Sequence, residues 1–328
     1  MNERRIAVAA VIAFFLFASG SFATAFAQTY PVRPIRVIIG FGAGGSADIV
    51  PRIIATELAK RLGQPFVIEN KPGASGQISV AAALNAPADG YTLLSAALGV
   101  IAINPSLYKD LAYDPVKDLV PIAAVARVPM VIVVPRAGPA SVRELIAEAK
   151  AKPGKLNYGF GGGVGSGMHV TAEMIKAVSG ADITAVSFKV GPEATAALLG
   201  GFIDVMSTDA STALMVIKTG KIKAIVVSSQ ERSPMLPDVP TMAESGFPDF
   251  EPMMGWYGFF ARAGTSPEIV NKLSAEIERV LQVPDVRERI FATGTEPWYQ
   301  SPAQFSQFVT GEIAKWGRAV KKSGVQAK

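Results

Sequence analysis

The sequence predicts an α/β protein of two units, the second inserted within the first. Three observations lead there. From residue 35 to residue 227, short apolar β-type runs alternate with helical patterns, the order expected of βαβ units around a parallel sheet. Each half carries one glycine-rich turn between a strand and a helix, at 40–45 and 159–167. The run PIAAVARVPMVIVVP at 121–135 is β-rich and interrupted by Pro129, as a strand would be that leaves one sheet and enters another. At 328 residues the chain exceeds the roughly 250–300 at which single cores split, so two units or one deeply cleft body is expected.

Taken in order, the chain opens MNERR, and Arg4 and Arg5 precede an apolar run over 6–17 that passes into small residues ending Ala25-Phe26-Ala27. This is the anatomy of a cleavable secretory signal peptide over 1–27, with cleavage after Ala27 and export to the periplasm. Its apolar core is shorter than the ~20 residues a membrane span needs. The arginine pair leaves open whether export is general or twin-arginine. There is no cysteine in the chain, which excludes disulfides, thiolate metal sites, cysteine nucleophiles and a lipid anchor at the cleavage site. Losing Glu3, Arg4 and Arg5 with the leader takes 32 basic and 27 acidic residues to 30 and 26. That mild, scattered excess argues against nucleic acid and suits an anionic small ligand.

Residues 35–39 read as a strand, 49–62 as a helix, 65–69 as a strand, 77–86 as a helix and 91–96 as a strand. The first helix is expected to begin near Asp48, because Pro51 beyond a first turn would lose a hydrogen bond and clash with the carbonyl four residues back. After the 121–135 strand comes a helix at 141–151, with Ser141 and Glu144 in capping-box spacing. Strands at 156–160, 184–188, 205–207 and 222–227 then alternate with helices at 167–179 and 193–199. Residues 233–255, rich in Pro, Met and Gly, form a long connection. A strand at 256–261, helices at 266–282 and 284–293, and an amphipathic helix at 301–323 capped by Ser301 close the chain.

The first glycine turn, IGFGAGGSAD at 39–48, satisfies G-x-G-x-x-G at Gly40, Gly42 and Gly45. Glycine here lets the backbone approach a ligand and aims the free N–H groups of the helix start at it, where the helix dipole favours an anion. A dinucleotide would fit that pattern, with Glu69 near the place of a ribose-binding acid. Export, where nucleotides are scarce, counts against it, as do Pro51, which is hard to place in a helix starting at Gly45, and Asp48, whose charge would repel a pyrophosphate. The second turn, GFGGGVGSG at 159–167, suggests instead two donor-rich helix starts facing each other across a cleft and gripping a ligand with two anionic ends. The plainer alternative is that glycine merely permits two tight turns.

Several stretches, in order, resemble the extracytoplasmic solute receptors of tripartite tricarboxylate transporters, the Bug receptors, over essentially all of the chain after the leader. They are FGAGGSADIVPR (41–52), VIENKPGASG (67–76), ADGYTLL (88–94), YDPVKDLVP (113–121), GKLNYGFGGGVGSGMH (154–169), GGFID (200–204), DVPTMAESG (238–246), GWYG (255–258), GTSP (264–267) and GTEP (294–297). The resemblance implies a type II periplasmic binding protein, two α/β lobes around a ligand cleft with a two-crossover hinge. Lobe I would comprise 28–128 plus 254–328, and lobe II 129–253. It further implies a carboxylate ligand, a membrane transporter as partner, a monomer and no cofactor. Phe41, Gly42, Ala43, Gly44, Gly45, Ser46 and Asp48 would form one half of the site, with Ser95 and Ala96 beside them. Phe160, Gly161, Gly162, Gly163, Gly165 and Ser166 would form the other, with Asp209 on the cleft wall. The chain departs from the family at Gly42-Ala43-Gly44, Pro51, Phe160 and Ser187-Phe188. Phe160 stands where serine is common, which predicts a more apolar site in which Phe41 and Phe160 sandwich a bulky ligand.

Enzymatic chemistry finds little support. His169 is the only histidine, and neither G-x-S-x-G nor H-E-x-x-H occurs. His169 is expected to make a structural hydrogen bond at the start of its helix. Trp256 and Tyr257 are expected to pack at the lobe crossover, and Lys189 to be solvated. The resulting expectation is a non-catalytic periplasmic receptor that closes on a carboxylate and delivers it to a transporter. The alternatives are an exported dinucleotide-dependent oxidoreductase, or the same receptor signalling to a sensor kinase.

Overall fold

The computed structural model describes residues 30–323, and those from Arg33 on form one compact unit. The expected leader and its cleavage site lie outside the described residues. The elements run β1 (Ile35–Ile39), α1 (Ser46–Leu62), β2 (Phe66–Asn70), α2 (Gln77–Leu84), β3 (Thr92–Ala97), α3 (Asn104–Leu107), β4 (Leu119–Pro135), α4 (Val142–Ala151), β5 (Asn157–Phe160), α5 (Gly167–Ser179), β6 (Thr184–Ser187), α6 (Gly191–Leu199), β7 (Val205–Asp209), α7 (Ala210–Ile217) and β8 (Ile222–Val227). After a long connection come β9 (Met254–Arg262), α8 (Pro267–Gln282), α9 (Pro284–Ala292), β10 (Glu296–Gln300) and α10 (Pro302–Ser323).

The strands join in the order β2-β1-β3-β9-β4-β7-β5-β6, with β8 and β10 also paired to β4. The β1–β2, β1–β3, β5–β6 and β5–β7 ladders are parallel, as the alternation of strands and helices predicts. Every pairing of β4 and β9 is antiparallel, so the sheet is mixed where only parallel strands were expected. Strand β4 explains the difference. Its residues as far as Pro129 lie against β9, and those from Met130 onward lie against β7 and β8. The apolar run broken at Pro129 is thus one strand serving two neighbourhoods. Proline is tolerated there because the ladder changes partners at that point.

The first helix departs from expectation. It starts at Ser46, not near Asp48, and Pro51 lies inside it. The N–H groups of Asp48 and Ile49 both reach the Gly45 carbonyl, at 2.9 Å each, so the first turn closes ahead of the proline. The capping predictions hold at two other helices. Ser141 Oγ accepts from the Glu144 N–H at 3.2 Å, and Glu144 Oε2 reaches back to the Ala140 N–H at 2.7 Å. Ser301 and Gln304 pair reciprocally at the start of α10. Residues 99–103 and α3, for which no helix was expected, are a wide helical turn and one short helix.

Helix α10 packs onto the central strands through its aromatic face. The Trp256 ring on β9 meets Phe305 edge-on at 5.5 Å between centroids and Phe308 at 5.7 Å. Buried Glu312 accepts from both Trp256 Nε1, at 3.1 Å, and Trp316 Nε1, at 2.8 Å. An indole N–H removed from water needs such an acceptor.

Candidate functional site

The chain leaves β1 through Gly40–Gly45 and enters α1. A side chain at Gly40 would put Cβ 2.5 Å from Ser79 Oγ, and Gly44 has φ +97°, so the turn needs both glycines. Asp48, 3 % exposed, folds back beneath it. Its Oδ2 accepts from the Gly44 N–H at 3.0 Å, and its Oδ1 accepts from Arg52 Nε at 2.9 Å and Asn70 Nδ2 at 2.8 Å. Asn70 Nδ2 also reaches the Phe41 carbonyl at 2.9 Å, tying the turn to the end of β2. Burial alone would raise the Asp48 pKa; the bonds from Arg52, Asn70 and Gly44 outweigh it and hold the carboxyl below its ordinary range. Asp48 therefore serves the turn from within. Among the described residues, the N–H groups of Gly42, Ala43, Gly45, Ser46 and Ala47 meet no protein acceptor.

The second turn, from Gly161 to Ser166, is held just as closely. Gly163 N–H donates to the Phe188 carbonyl at 3.2 Å, Ser166 Oγ donates to the Gly161 carbonyl at 3.0 Å, and Ser166 caps α5 through the His169 N–H. Gly162, Gly163 and Gly165 all have φ near +80°, a region that costs other residues dearly. A Cβ on Gly165 would stand 2.0 Å from Leu107 Cδ2, and one on Gly167 3.0 Å from Met130 Cε, so the turn is pressed against α3 and β4. The N–H groups of Gly162, Val164, Gly167 and Met168 meet no protein acceptor among the described residues.

His169 makes the structural bond expected of it. Its Nδ1 accepts from the Gly165 N–H at 3.1 Å, which fixes the proton of the neutral ring on Nε2. Burial lowers its pKa, keeping the ring neutral, while Glu173 pulls the other way. The Phe160 ring stacks on His169 at 4.3 Å between centroids and is 1 % exposed. The sandwich of Phe41 and Phe160 about a ligand thus meets a filled place: Phe160 belongs to the core under the turn.

Between the turns lie Ser46, Tyr257, Ser95 and Asp209. Tyr257 OH stands 2.8 Å from Ser46 Oγ at the first residue of α1. Burial foremost, then the nearby charge of Asp209, raises the Tyr257 phenol far above its ordinary pKa, against the opposing bond with Ser46. In the β3–β9 ladder, Ser95 pairs with Phe259 and Ala97 with Tyr257, which puts Ser95 on the same sheet face as Tyr257. Ser95 is 3 % exposed as a residue, and its hydroxyl bonds to no protein group among the described residues. Ala96 points to the opposite face, beside Gly258, which packs on Phe305. Asp209 caps α7, its Oδ1 accepting from Thr212 N–H at 2.8 Å and from the Ser211 hydroxyl.

Sequence reading missed the Tyr257 hydroxyl and the Asn70 tie. Alternation along the strand was the available signal: Trp256 and Tyr257 are neighbours, so only one of them could face α10. Glu69, the acid a dinucleotide would need, is paired with Arg36 at 3.8 Å and Lys71 at 3.6 Å. Among the described residues no three His, Asp or Glu side chains gather as a metal site, and no helix is long and apolar enough to cross a membrane.

The family model described as "Tripartite tricarboxylate transporter family receptor" matches residues 50–325. Protein BugT of Bordetella pertussis is 36% identical over 100% of both chains. Of solved structures, Rpa4515 of R. palustris with adipate is 32% identical, with TM-score 0.83, covering 90% of this chain and 99% of that one. The periplasmic binding protein BugD is 33% identical, with TM-score 0.81, covering 91% and 100%. The chain shares this periplasmic-binding-protein fold.

Proposed function

Because the chain belongs to the receptor family of tripartite tricarboxylate transporters, we propose that it captures a small carboxylate between two lobes and delivers it to the membrane subunits of such a transporter. The observation that carries this reading is the pair of glycine turns, each opening a helix and each presenting N–H groups that no protein acceptor takes up. Such groups at a helix start suit a carboxylate oxygen. The ligand end at the first turn lies against Gly42, Ala43, Gly45 and Ser46, with the Ser95 hydroxyl beneath it. The other end lies against Gly162, Val164 and the start of α5. Gly44, Gly163 and Gly165 shape the turns with N–H groups already bonded, and Asp48 braces the first turn.

Lobe I comprises 28–128 and 254–328, and lobe II 129–253. The boundaries are supported by the last β4–β9 pair, Pro129 with Met254, next to the first β4–β7 pair, Met130 with Asp209. Closure about these two crossing strands adds the second set of donors only when ligand is present, which is how a ligand shifts such an equilibrium. The protein works as a monomer without catalysis or cofactor, after export behind a cleaved leader. Rpa4515 holds adipate, a ligand with two carboxylate ends.

Thermal-shift screening of the purified protein against mono-, di- and tricarboxylates, aromatic acids included, tests the reading. A cognate ligand at 100 times its Kd stabilises by about 2.7 kcal/mol. A panel with no responder, together with a response to added nicotinamide or flavin nucleotide, would sink the reading in favour of an oxidoreductase.

A further inference from the structure

Asp209 stands at the edge of this site with one oxygen unused. It ends β7, is 8 % exposed, and spends Oδ1 on Thr212 N–H and the Ser211 hydroxyl. Among the described residues, Oδ2 accepts from no protein group, and no Lys, Arg or His forms an ion pair with the side chain. Oδ2 is not sealed in the interior, so it remains open to a donor that arrives from the cleft. The β4 ladders place it on the face that carries Tyr257: Ala126 pairs with Tyr257 and Met130 with Asp209, an even number of residues apart. On that same face, the hydroxyl of Ser95 also has no protein partner among the described residues. Two polar groups on one face, each on a residue under 10 % exposed and each with an oxygen that no protein group takes up but that is not sealed from solvent, bracket the Ser46–Tyr257 pair.

The ligand proposed above is an anion, and a bare carboxylate oxygen beside an anion repels it. What fits between them is a hydrogen-bond donor carried by the ligand itself. We propose that Asp209 Oδ2 makes the receptor selective for carboxylates that also bear a hydroxyl or ammonium group. The inference rests on the carboxylate-receptor reading and adds the substituent the ligand must carry. A pocket built to bond a donor discriminates strongly against the analogue that lacks it, because the pocket's own polar atom is then left unpaired.

The test is calorimetric titration of the full mature chain with acids matched in length: succinate, malate and aspartate; glutarate, 2-hydroxyglutarate and glutamate; adipate and 2-aminoadipate. At the preferred length, the acid bearing a donor should bind at least about tenfold tighter than the plain one. Comparison of malate with aspartate separates hydroxyl from ammonium as the donor. Asp209→Asn keeps an oxygen for the α7 cap, since Asn caps as well as Asp. It should erase most of that ratio, because the donor-bearing acid loses its acceptor while the plain acid, no longer facing a bare carboxylate, binds no worse than before. Asp209→Ser serves the same purpose if the Asn variant folds poorly. Equal affinity for plain and donor-bearing acids at every length, or a ratio unchanged in Asp209→Asn, would overturn the inference and leave the carboxylate receptor standing. Binding of none of these acids would overturn the inference, and if no mono-, tri- or aromatic carboxylate of the thermal-shift panel bound either, the carboxylate-receptor reading would fall with it.

Discussion

Gly165→Ala places a methyl group where the structure has no room. Two costs add there. With φ at +84°, an L-residue is strained by about 1–2 kcal/mol. The new Cβ would lie 2.0 Å from Leu107 Cδ2, and Leu107 is 7 % exposed and cannot swing into solvent, so overpacking costs about 1–3 kcal/mol more. Gly163→Ala shares the strain, with φ at +78°, but nothing lies within 4 Å of its Cβ. Urea unfolding should therefore rank Gly165→Ala below Gly163→Ala by about 1–3 kcal/mol. Adding Leu107→Ala should abolish that excess in a double-mutant cycle. Equal costs for the two glycine variants, or a cycle with no coupling to Leu107, would refute the claim that the second turn is pressed onto α3.

Other consequences follow from the same contacts. Asn70→Leu removes the donor that Asp48 and the Phe41 carbonyl share; stability should fall by about 1–3 kcal/mol, and carboxylate affinity should fall with it as the first turn loosens. Glu312→Leu strands two buried indole N–H groups at about 1–3 kcal/mol each, whereas Glu312→Gln keeps an acceptor and should cost less in the same unfolding assay. His169 has a folded pKa below its unfolded value, so its contribution is complete above about pH 6.5 and is lost as pH falls toward the folded pKa. Melting curves of the wild type should therefore drop relative to His169→Gln as pH is lowered from 7 to 5, and parallel curves would contradict the neutral Nδ1 acceptor.

Much of this was legible in the sequence because it depends on local chemistry. The strand-then-glycine-then-helix order at residues 35–62 and 156–179 needs only periodicity and the backbone freedom of glycine, and both turns fall where they were expected. The caps at Ser141 and Ser301 are likewise short-range. What escaped depends on partners far apart in the chain. Nothing near Asp48 announces that Asn70 will reach back to it, so a ligand contact was expected where the structure has a brace. The resemblance puts Phe160 where serine is common and hence beside a ligand, yet His169, four residues after Gly165, fills the space against its ring. Pro51 points the opposite way: its missing N–H argues for a start near Asp48, whereas α1 begins at Ser46 and carries the proline in its interior. The antiparallel strands at the centre follow from β4 and β9 crossing between neighbourhoods, and the Pro129 interruption was the trace of that crossing in the sequence.

The central claim is that unpartnered N–H groups of both glycine turns hold the ligand's carboxylates. Amide nitrogen and proton shifts, followed while the tightest carboxylate from the thermal-shift panel is titrated into labelled protein, address it residue by residue. The largest downfield changes should fall at Gly45, Ser46, Gly162 and Val164, in both turns at one shared Kd, with smaller ones at Gly44, Gly163 and Gly165, whose N–H groups are already bonded. Saturable changes confined to one turn, or centred on residues outside both, would contradict it.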